Sequence, residues 1–262
     1  MDYFEVLAAV WRRVLAGTPQ LGWSLLVFAA VLPLEAWFGS GQKTTWGERF
    51  GNLAAMVIHF VLGGVILTLV FITPFGRSLS EFPREPRHEL LQNPIIWALA
   101  AVFIIDGLFY CYHRVQHKVP VLWHIHKLHH TDPAMNITTS KRSHFIERTM
   151  QYLVLTFPMF WILGMNAQGM AYAAMAVSFF LYAAHADVRF NMGPLTPVLV
   201  GPQYHRLHHS RLAKHENVNF AQMFPLFDIV GGTYVQPGKN EYPATGVAGC
   251  DTAYSRWRPL LW

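Results

Sequence analysis

Charge is scarce in this chain. Of its 262 residues only 13% are Asp, Glu, Lys or Arg, while 53% are hydrophobic. A soluble domain carries roughly 25% charged residues to keep its surface in water, so the composition argues against that class. Cysteine is almost absent: Cys111 and Cys250 do not make a disulfide framework, and either could simply be a small buried hydrophobe. The opening MDYFEVLAAVWRRVLAGTP lacks the positive start, long apolar core and small-residue cleavage site of a signal peptide. Its Trp11, Arg12 and Arg13 suit an interfacial amphipathic helix instead. No internal repeat of fixed period occurs. The formal charge of +5 is not laid out for nucleic acid. Segments 113–149 and 185–262 carry 6 and 7 Lys+Arg, against 2 in 1–20 and 3 in 76–93. By the positive-inside rule the side holding these two segments, which is also the histidine-rich side, faces the cytoplasm.

Long apolar runs are what the chain has in place of charge. LGWSLLVFAAVLPLEAWF (21–38), LAAMVIHFVLGGVILTLVFITPF (53–75) and PIIWALAAVFIIDGLFYCY (94–112) each reach 18 residues or more. As helix, that length crosses about 30 Å of hydrocarbon. Open strands could not satisfy their backbone there. Residues 150–163 and 168–184 form a fourth and a fifth block, a tight hairpin whose first arm is short enough for a tilted or shallow crossing. The expected fold is therefore an all-α integral membrane protein of four or five membrane helices under a cytosolic, histidine-rich helical cap. If all three early blocks cross, the N-terminus lies on the side away from the cap; if it lies on the cap side, one of them does not fully cross. Trp37, Trp46, Trp97 and Trp161 sit near block ends, where interfacial anchors belong. The third block runs on into CYHRVQHK and should stay helical to about 118, where Val-Pro stops it; 121–132 reads as another helix. One domain is expected: 1–93 as amphipathic start, hairpin and linker, 94–234 as the histidine-bearing region, and 235–262 as a tail.

Eight of the 14 histidines fall in three short boxes: His113 and His117 in HRVQH, His126, His129 and His130 in HKLHH, and His205, His208 and His209 in HRLHH. Residues i, i+3 and i+4 share one helix face, so each box gathers imidazoles on one side. Adjacent histidines such as His129 and His130 diverge by about 100°, which suits two metal centres better than one. Imidazole binds Fe, Zn, Cu and Ni, and eight neutral ligands are too many for one ion. Left without a metal, so many buried ring nitrogens would be expensive. His185, closing the fifth block, emerges level with the boxes and is the expected ninth ligand; the plainer reading is a helix-end cap. His144, His124 and His215 are either partners of ligating rings or surface residues, and His59 and His88 belong to no box.

Ligating imidazoles pass their other nitrogen to a carboxylate or carbonyl. Asp106, two turns before His113, is the main candidate to orient a ring, because a bare carboxylate in an apolar block would be costly. Asp132, Glu147, Asp187, Glu216 and Asp228 also border boxes or block ends. Asn217 and Asn219 could bond the site's rim or simply build a turn. No acid occurs in 150–163 or 168–184, so neither a carboxylate-rich di-iron bundle nor a two-histidine, one-carboxylate site is offered. An all-histidine pair of metals at the mouth of a helical bundle would meet lipid from the bilayer, with oxygen and electrons from membrane and cytosol. A zinc hydrolase activating water would need fewer ligands and a general base. A metal carrier without catalysis would need polar residues along a path through the membrane, and the blocks hold little beyond Glu35, His59 and Asp106.

Taken together, DGLFYCYHRVQH (106–117), LWHIHKLHHTDPAMNITTSKRSHFIE (122–147), GPQYHRLHHS (201–210) and NVNFAQMFPLFDIVGGTY (217–234) resemble the fatty acid hydroxylase and sterol desaturase superfamily of membrane di-metal oxygenases. The resemblance covers about 94–234. It implies two irons held by the eight box histidines, with Trp123, Asn136, Arg142, His144 and 217–220 as supporting residues of the cap. It further implies O2, a membrane lipid substrate, and a separate electron donor such as a cytochrome, ferredoxin or reductase. Hydroxylation of a lipid C–H bond is the first expectation and desaturation of a sterol or acyl lipid the alternative. Some fatty acyl hydroxylases of this type have two histidines a turn apart after the last membrane helix. Here His185 is followed by Arg189, which implies nine ligands rather than ten and weakens a fatty acyl 2-hydroxylase assignment.

Overall fold

The computed structural model describes residues 18–73, 83–250 and 257–258, with Glu5 and Ala8. The interfacial helix expected at the start of the chain lies outside the described residues. Among the described residues, four helices are long and apolar enough to cross a membrane: α1 (Thr18–Phe38), α2 (Trp46–Ile72), α3 (Pro94–Lys118) and α7 (Ala167–His185). Local chemistry sets their ends. The Thr45 hydroxyl accepts from Glu48 N (3.2 Å) and the Glu48 carboxylate from Thr45 N (2.8 Å), a reciprocal cap that starts α2. Asn93 caps α3 with Pro94 in its first turn. Pro120 keeps Val119 extended (φ −92°, ψ 116°), so α3 stops at Lys118 and α4 (Pro120–His130) leaves in a new direction.

The fourth apolar block is no single helix. The chain runs through α5 (Glu147–Gln151), a π-helical turn (Tyr152–Thr156) and α6 (Phe157–Leu163). Pro158 lacks the N–H that would bond Val154, and the wide turn just before it absorbs the loss. The 17 residues rise about 25 Å and return from the cap to the far end of α3, where Trp97 Nε1 donates to Gly164 O (3.2 Å) and Arg87 N to Leu163 O (2.9 Å). Gly164 turns the chain at φ +71°, with a Cβ there 2.0 Å from Glu85 O. Trp97 is thus no interfacial anchor. It is fully buried against Phe160, and a Cβ on Gly169 would lie 2.8 Å from its ring. Trp37, Trp46 and Trp161 do face outward.

α3 and α7 form the central pair, packed through Trp97, Ala101, Ala173 and the Met159–Phe160 step of α6. A smaller core of Phe28, Met56, Ile137 and Tyr182 joins α1 and α2 to the cap. Gly63 lets α5 approach α2, since a Cβ there would sit 2.7 Å from Phe145 O. Near the top of α1, two residues above Pro33, the buried Glu35 carboxylate accepts from Ile137 N (2.7 Å) and Asp187 N (3.0 Å) and pairs with Arg49 (2.9 Å). These bonds bring the C-terminal ends of α1 and α7 together at the cap. The first residues of α1 therefore lie on the opposite side. The cap is completed by a 3-10 turn (Ile137–Lys141), α8 (Pro202–His208) and α9 (Leu226–Gly231).

Candidate metal centre

All nine predicted rings meet where α3, α4, α7 and α8 converge, and they fall into two groups. His113, His117, His126, His130 and His208 form one; His129, His185, His205 and His209 form the other, and within each group the ligand atoms lie within 4.8 Å of one another. The helical period explains the division. Within HKLHH the i, i+4 pair His126 and His130 enters the first group and His129 the second. Within HRLHH the pair His205 and His209 enters the second and His208 the first. Neighbouring histidines thus serve different groups, as their divergence requires.

The outward nitrogens decide what the inward ones can do. His113 Nδ1 lies 2.8 Å from Phe220 O, His208 Nδ1 2.8 Å from Val218 O, His129 Nδ1 3.2 Å from Arg142 O and His185 Nδ1 2.7 Å from Leu181 O. A carbonyl only accepts, so each of these Nδ1 atoms carries the proton and each Nε2 presents a lone pair. Yet His113 Nε2 and His208 Nε2 stand 3.0 Å apart, as do His129 Nε2 and His185 Nε2. Two lone pairs at that distance repel unless a cation lies between them. Protonation is a poor solution. Burial, then neighbouring rings, push His129, His130, His205 and His209 well below the ordinary imidazole value, and burial lowers His208 to about 3.

A metal ion fits. Two nitrogens about 2.1 Å from one ion and at right angles stand about 3.0 Å apart. The Nε2–Nε2 contacts His113–His126, His117–His130, His126–His130, His185–His205 and His205–His209 span 3.0 to 3.2 Å. Five rings leave one position of a six-coordinate ion open, and four leave two.

Asp106 holds the site in a different way from that expected. Its carboxylate makes no bond to a ring; it accepts from Gln222 N (2.9 Å), Met223 N (3.1 Å) and Phe224 N (2.6 Å). Asp228 does the same one step earlier, accepting from Phe220 N (2.8 Å) and Ala221 N (2.7 Å) as well as Tyr204 Oη (2.8 Å) and Thr233 Oγ1 (2.7 Å). Together they fasten a strap, residues 217–224, whose Val218 and Phe220 carbonyls face His208 and His113. Asn217 and Asn219 take left-handed backbone (φ 59° and 57°), which bends the strap. The Asn219 amide then locks it to Val235 N (2.8 Å) and Tyr204 O (3.2 Å).

Among the described residues, the carboxylate that reaches one of the nine rings is Glu147. Its Oε1 lies 2.9 Å from His126 Nδ1 and accepts from Gln116 Nε2 at 2.7 Å. Asp187 touches no ring but pairs with Arg206 of α8 at 2.8 Å, tying α8 to the end of α7. His144 stands outside both groups, its Nδ1 accepting from Ile146 N (3.2 Å) and its Nε2 without a partner among the described residues. His215 pairs with Glu241 at 3.3 Å, His59 lies 3.1 Å from His144 O, and His88 caps a 3-10 turn. The Arg142 guanidinium, buried in the cap, bonds Leu128 O, Asn52 and Thr131, each at 2.9 Å. The ring-orienting carbonyls are backbone atoms, so residue identity did not point to them; the two Asn residues were the one local sign of the strap.

Known proteins are similar to this chain in sequence. An ornithine lipid hydroxylase of Rhizobium tropici is 24% identical over 88% of this chain and 72% of its own length. An alkylglycerol monooxygenase of Xenopus tropicalis is 28% identical over 79% of this chain and 46% of its own. A delta(7)-sterol 5(6)-desaturase of Gibberella zeae is 35% identical over 81% and 60%. The chain thus spans about half the length of some of these relatives and nearly three quarters of another. No solved structure matches it. The paired histidine clusters and these likenesses support an oxidoreductase. Residues 98–233, which hold all nine rings, match the family described as fatty acid hydroxylase, and the chain belongs to that family.

Proposed function

We propose that the protein is an O2-dependent di-iron hydroxylase that acts on a C–H bond of a membrane lipid. The observation that carries this is the convergence of nine buried imidazoles whose inward Nε2 lone pairs face one another in two groups. His113, His117, His126, His130 and His208 would hold one ion, and His129, His185, His205 and His209 the other. Iron held by these rings would supply the activation of dioxygen. Overall, one C–H bond, O2, two electrons and two protons give C–OH and water. The electrons come from a separate donor such as a cytochrome, ferredoxin or reductase.

The chain's own residues prepare the site. The carbonyls of Phe220, Val218, Arg142 and Leu181 hold four of the rings in the Nδ1–H tautomer, and Glu147 fixes the orientation of His126 through its Nδ1. Burial of all but His117 keeps bulk water from the ligands. The excess of 13 Lys+Arg over 5 supports a cytoplasmic position for this face. The relatives' names point to ornithine lipid, alkylglycerol and sterol, all amphiphiles of the bilayer. The sterol desaturase at 35% identity favours desaturation as a second reading of the same site.

Lipids extracted from cells with and without the gene, grown under labelled dioxygen, separate these readings. A labelled hydroxyl on one lipid class supports hydroxylation. A new double bond without label supports desaturation. No gene-dependent lipid change, together with purified protein free of transition metal, would overturn both.

A further inference from the structure

α1 and α7 run in the same direction and touch through Tyr182, which reaches Ser24 and Phe28, but their outer faces do not close on each other. Between them lies a groove of about 360 Å³, walled by Trp23, Val27 and Val31 on α1 and by Met175, Phe179 and Ala183 on α7. The α1 residues are spaced by four, one stripe of the helix spanning about 12 Å; the α7 residues repeat the spacing. The lining is nearly all apolar. Trp23, Met175 and Phe179 are 56%, 68% and 65% exposed, so the mouth opens sideways. Both walls are membrane-crossing helices, and what meets that mouth is hydrocarbon.

The upper end stands level with the histidines. Ala186, beside His185 in sequence, lines it together with Ile137 from the cap. Tyr182 forms its inner wall one turn below His185, and that ring is held from three sides: Ser24 Oγ 2.7 Å from its hydroxyl, Phe28 edge-on at 5.7 Å, and the Lys141 ammonium 5.2 Å from its centroid. A fixed aromatic partition thus separates a lipid-facing groove from the four-ring group. Ala183 and Ala186 line the groove beside it, where any larger side chain would fill the space.

We infer that this groove seats one hydrocarbon chain of a bilayer lipid and delivers it along α7 to the His185 side of the site. The inference rests on the proposed function for its meaning but not for its test. Purified protein in bicelles is exposed to a phospholipid bearing a photoreactive hexadecyl chain, and adducts are mapped with and without excess unlabelled lipid. Labelling of Val27, Val31, Met175 and Phe179 should saturate. Labelling of Leu99 and Phe103, exposed on α3, should not, because lipid there is only solvent. Ala183→Trp should lower the saturable labelling at least ten-fold with metal content unchanged. Met175→Trp, two turns further from the rings, gives a second closure should the first variant misfold. Unsaturable labelling in the groove, equal to that on α3, would overturn the inference, as would full saturable labelling in both folded variants. A groove that saturates in a protein yielding no oxidised lipid would leave the groove standing and sink the proposed function.

Discussion

Replacing Asp228 by Asn tests whether the strap governs one metal group and spares the other. The carboxylate is fully buried and accepts four hydrogen bonds, from Phe220 N, Ala221 N, Tyr204 Oη and Thr233 Oγ1. An amide supplies one oxygen. Whichever way it is turned, its NH2 faces a backbone N–H of the strap, Ala221 in one orientation and Phe220 in the other. A hydroxyl can rotate to accept, but a backbone N–H cannot. One orphaned buried donor costs about 1–3 kcal/mol, and the remaining bonds lose their charge assistance. A total of about 3 kcal/mol shifts the strap between seated and displaced by roughly 150-fold. Displacement takes the Phe220 and Val218 carbonyls from His113 and His208, both in the five-ring group. Loss of such support lowers metal affinity by about 10–100-fold. His129 and His185 lean instead on Arg142 and Leu181 and are untouched. Elemental analysis after a chelator challenge should therefore find about one ion per chain where the parent protein keeps two. Two ions held with parental affinity in a correctly inserted variant would refute the reasoning.

His129→Ala removes a ring from the four-ring group and should abolish lipid oxidation while membrane insertion is kept; undiminished metal content would remove His129 from the ligand set. Gly63→Ala places a Cβ 2.7 Å from Phe145 O and 2.9 Å from Arg148 Cβ, and should destabilise by about 1–3 kcal/mol, read as a lower thermal midpoint. Acid should destabilise the metal-free protein. His208 titrates near 3 when folded and near 6.5 when unfolded, so between these values the unfolded chain binds a proton that the fold excludes. Stability is complete above about 6.5 and falls as pH drops towards 3, by about 1.4 kcal/mol per such ring at pH 5.5. Thermal unfolding followed from about pH 7.5 to 5.5 checks the sign; a midpoint that rises on acidification would contradict it.

The histidine spacing carried the site in plain view, because HxxxH and HxxHH leave few ways to arrange rings on a helix. The division into five and four follows from the same period once both HxxHH boxes face a common centre. Asp106 shows where periodicity misleads. Seven residues do share a face with His113, but they stand about 10 Å apart along the axis, beyond the reach of a carboxylate. What Asp106 could reach was a strap 116 residues away in sequence, which no local pattern announces. Glu147 reaches His126 only because the chain, 21 residues on, returns to α4 after the 3-10 turn. Trp97 was placed by its position near a block end, whereas its surroundings were decided by the two glycines, Gly164 and Gly169, that meet it from other parts of the chain.

Glu35 gives α1 an unusual mechanical character. Its carboxylate pins the helix by its top to the 3-10 turn, the end of α7 and Arg49, while Pro33 just beneath leaves one rung of the backbone ladder unmade. A rod clamped at one end yields at the weakest rung near the clamp. Lower down, α1 is held to α7 through Tyr182, by the Ser24 hydroxyl and the edge of Phe28. A sideways swing of α1 in the plane of the bilayer is therefore hinged at Pro33, must break that hydrogen bond and ring contact to widen the groove, and is almost nil beside the nine imidazoles.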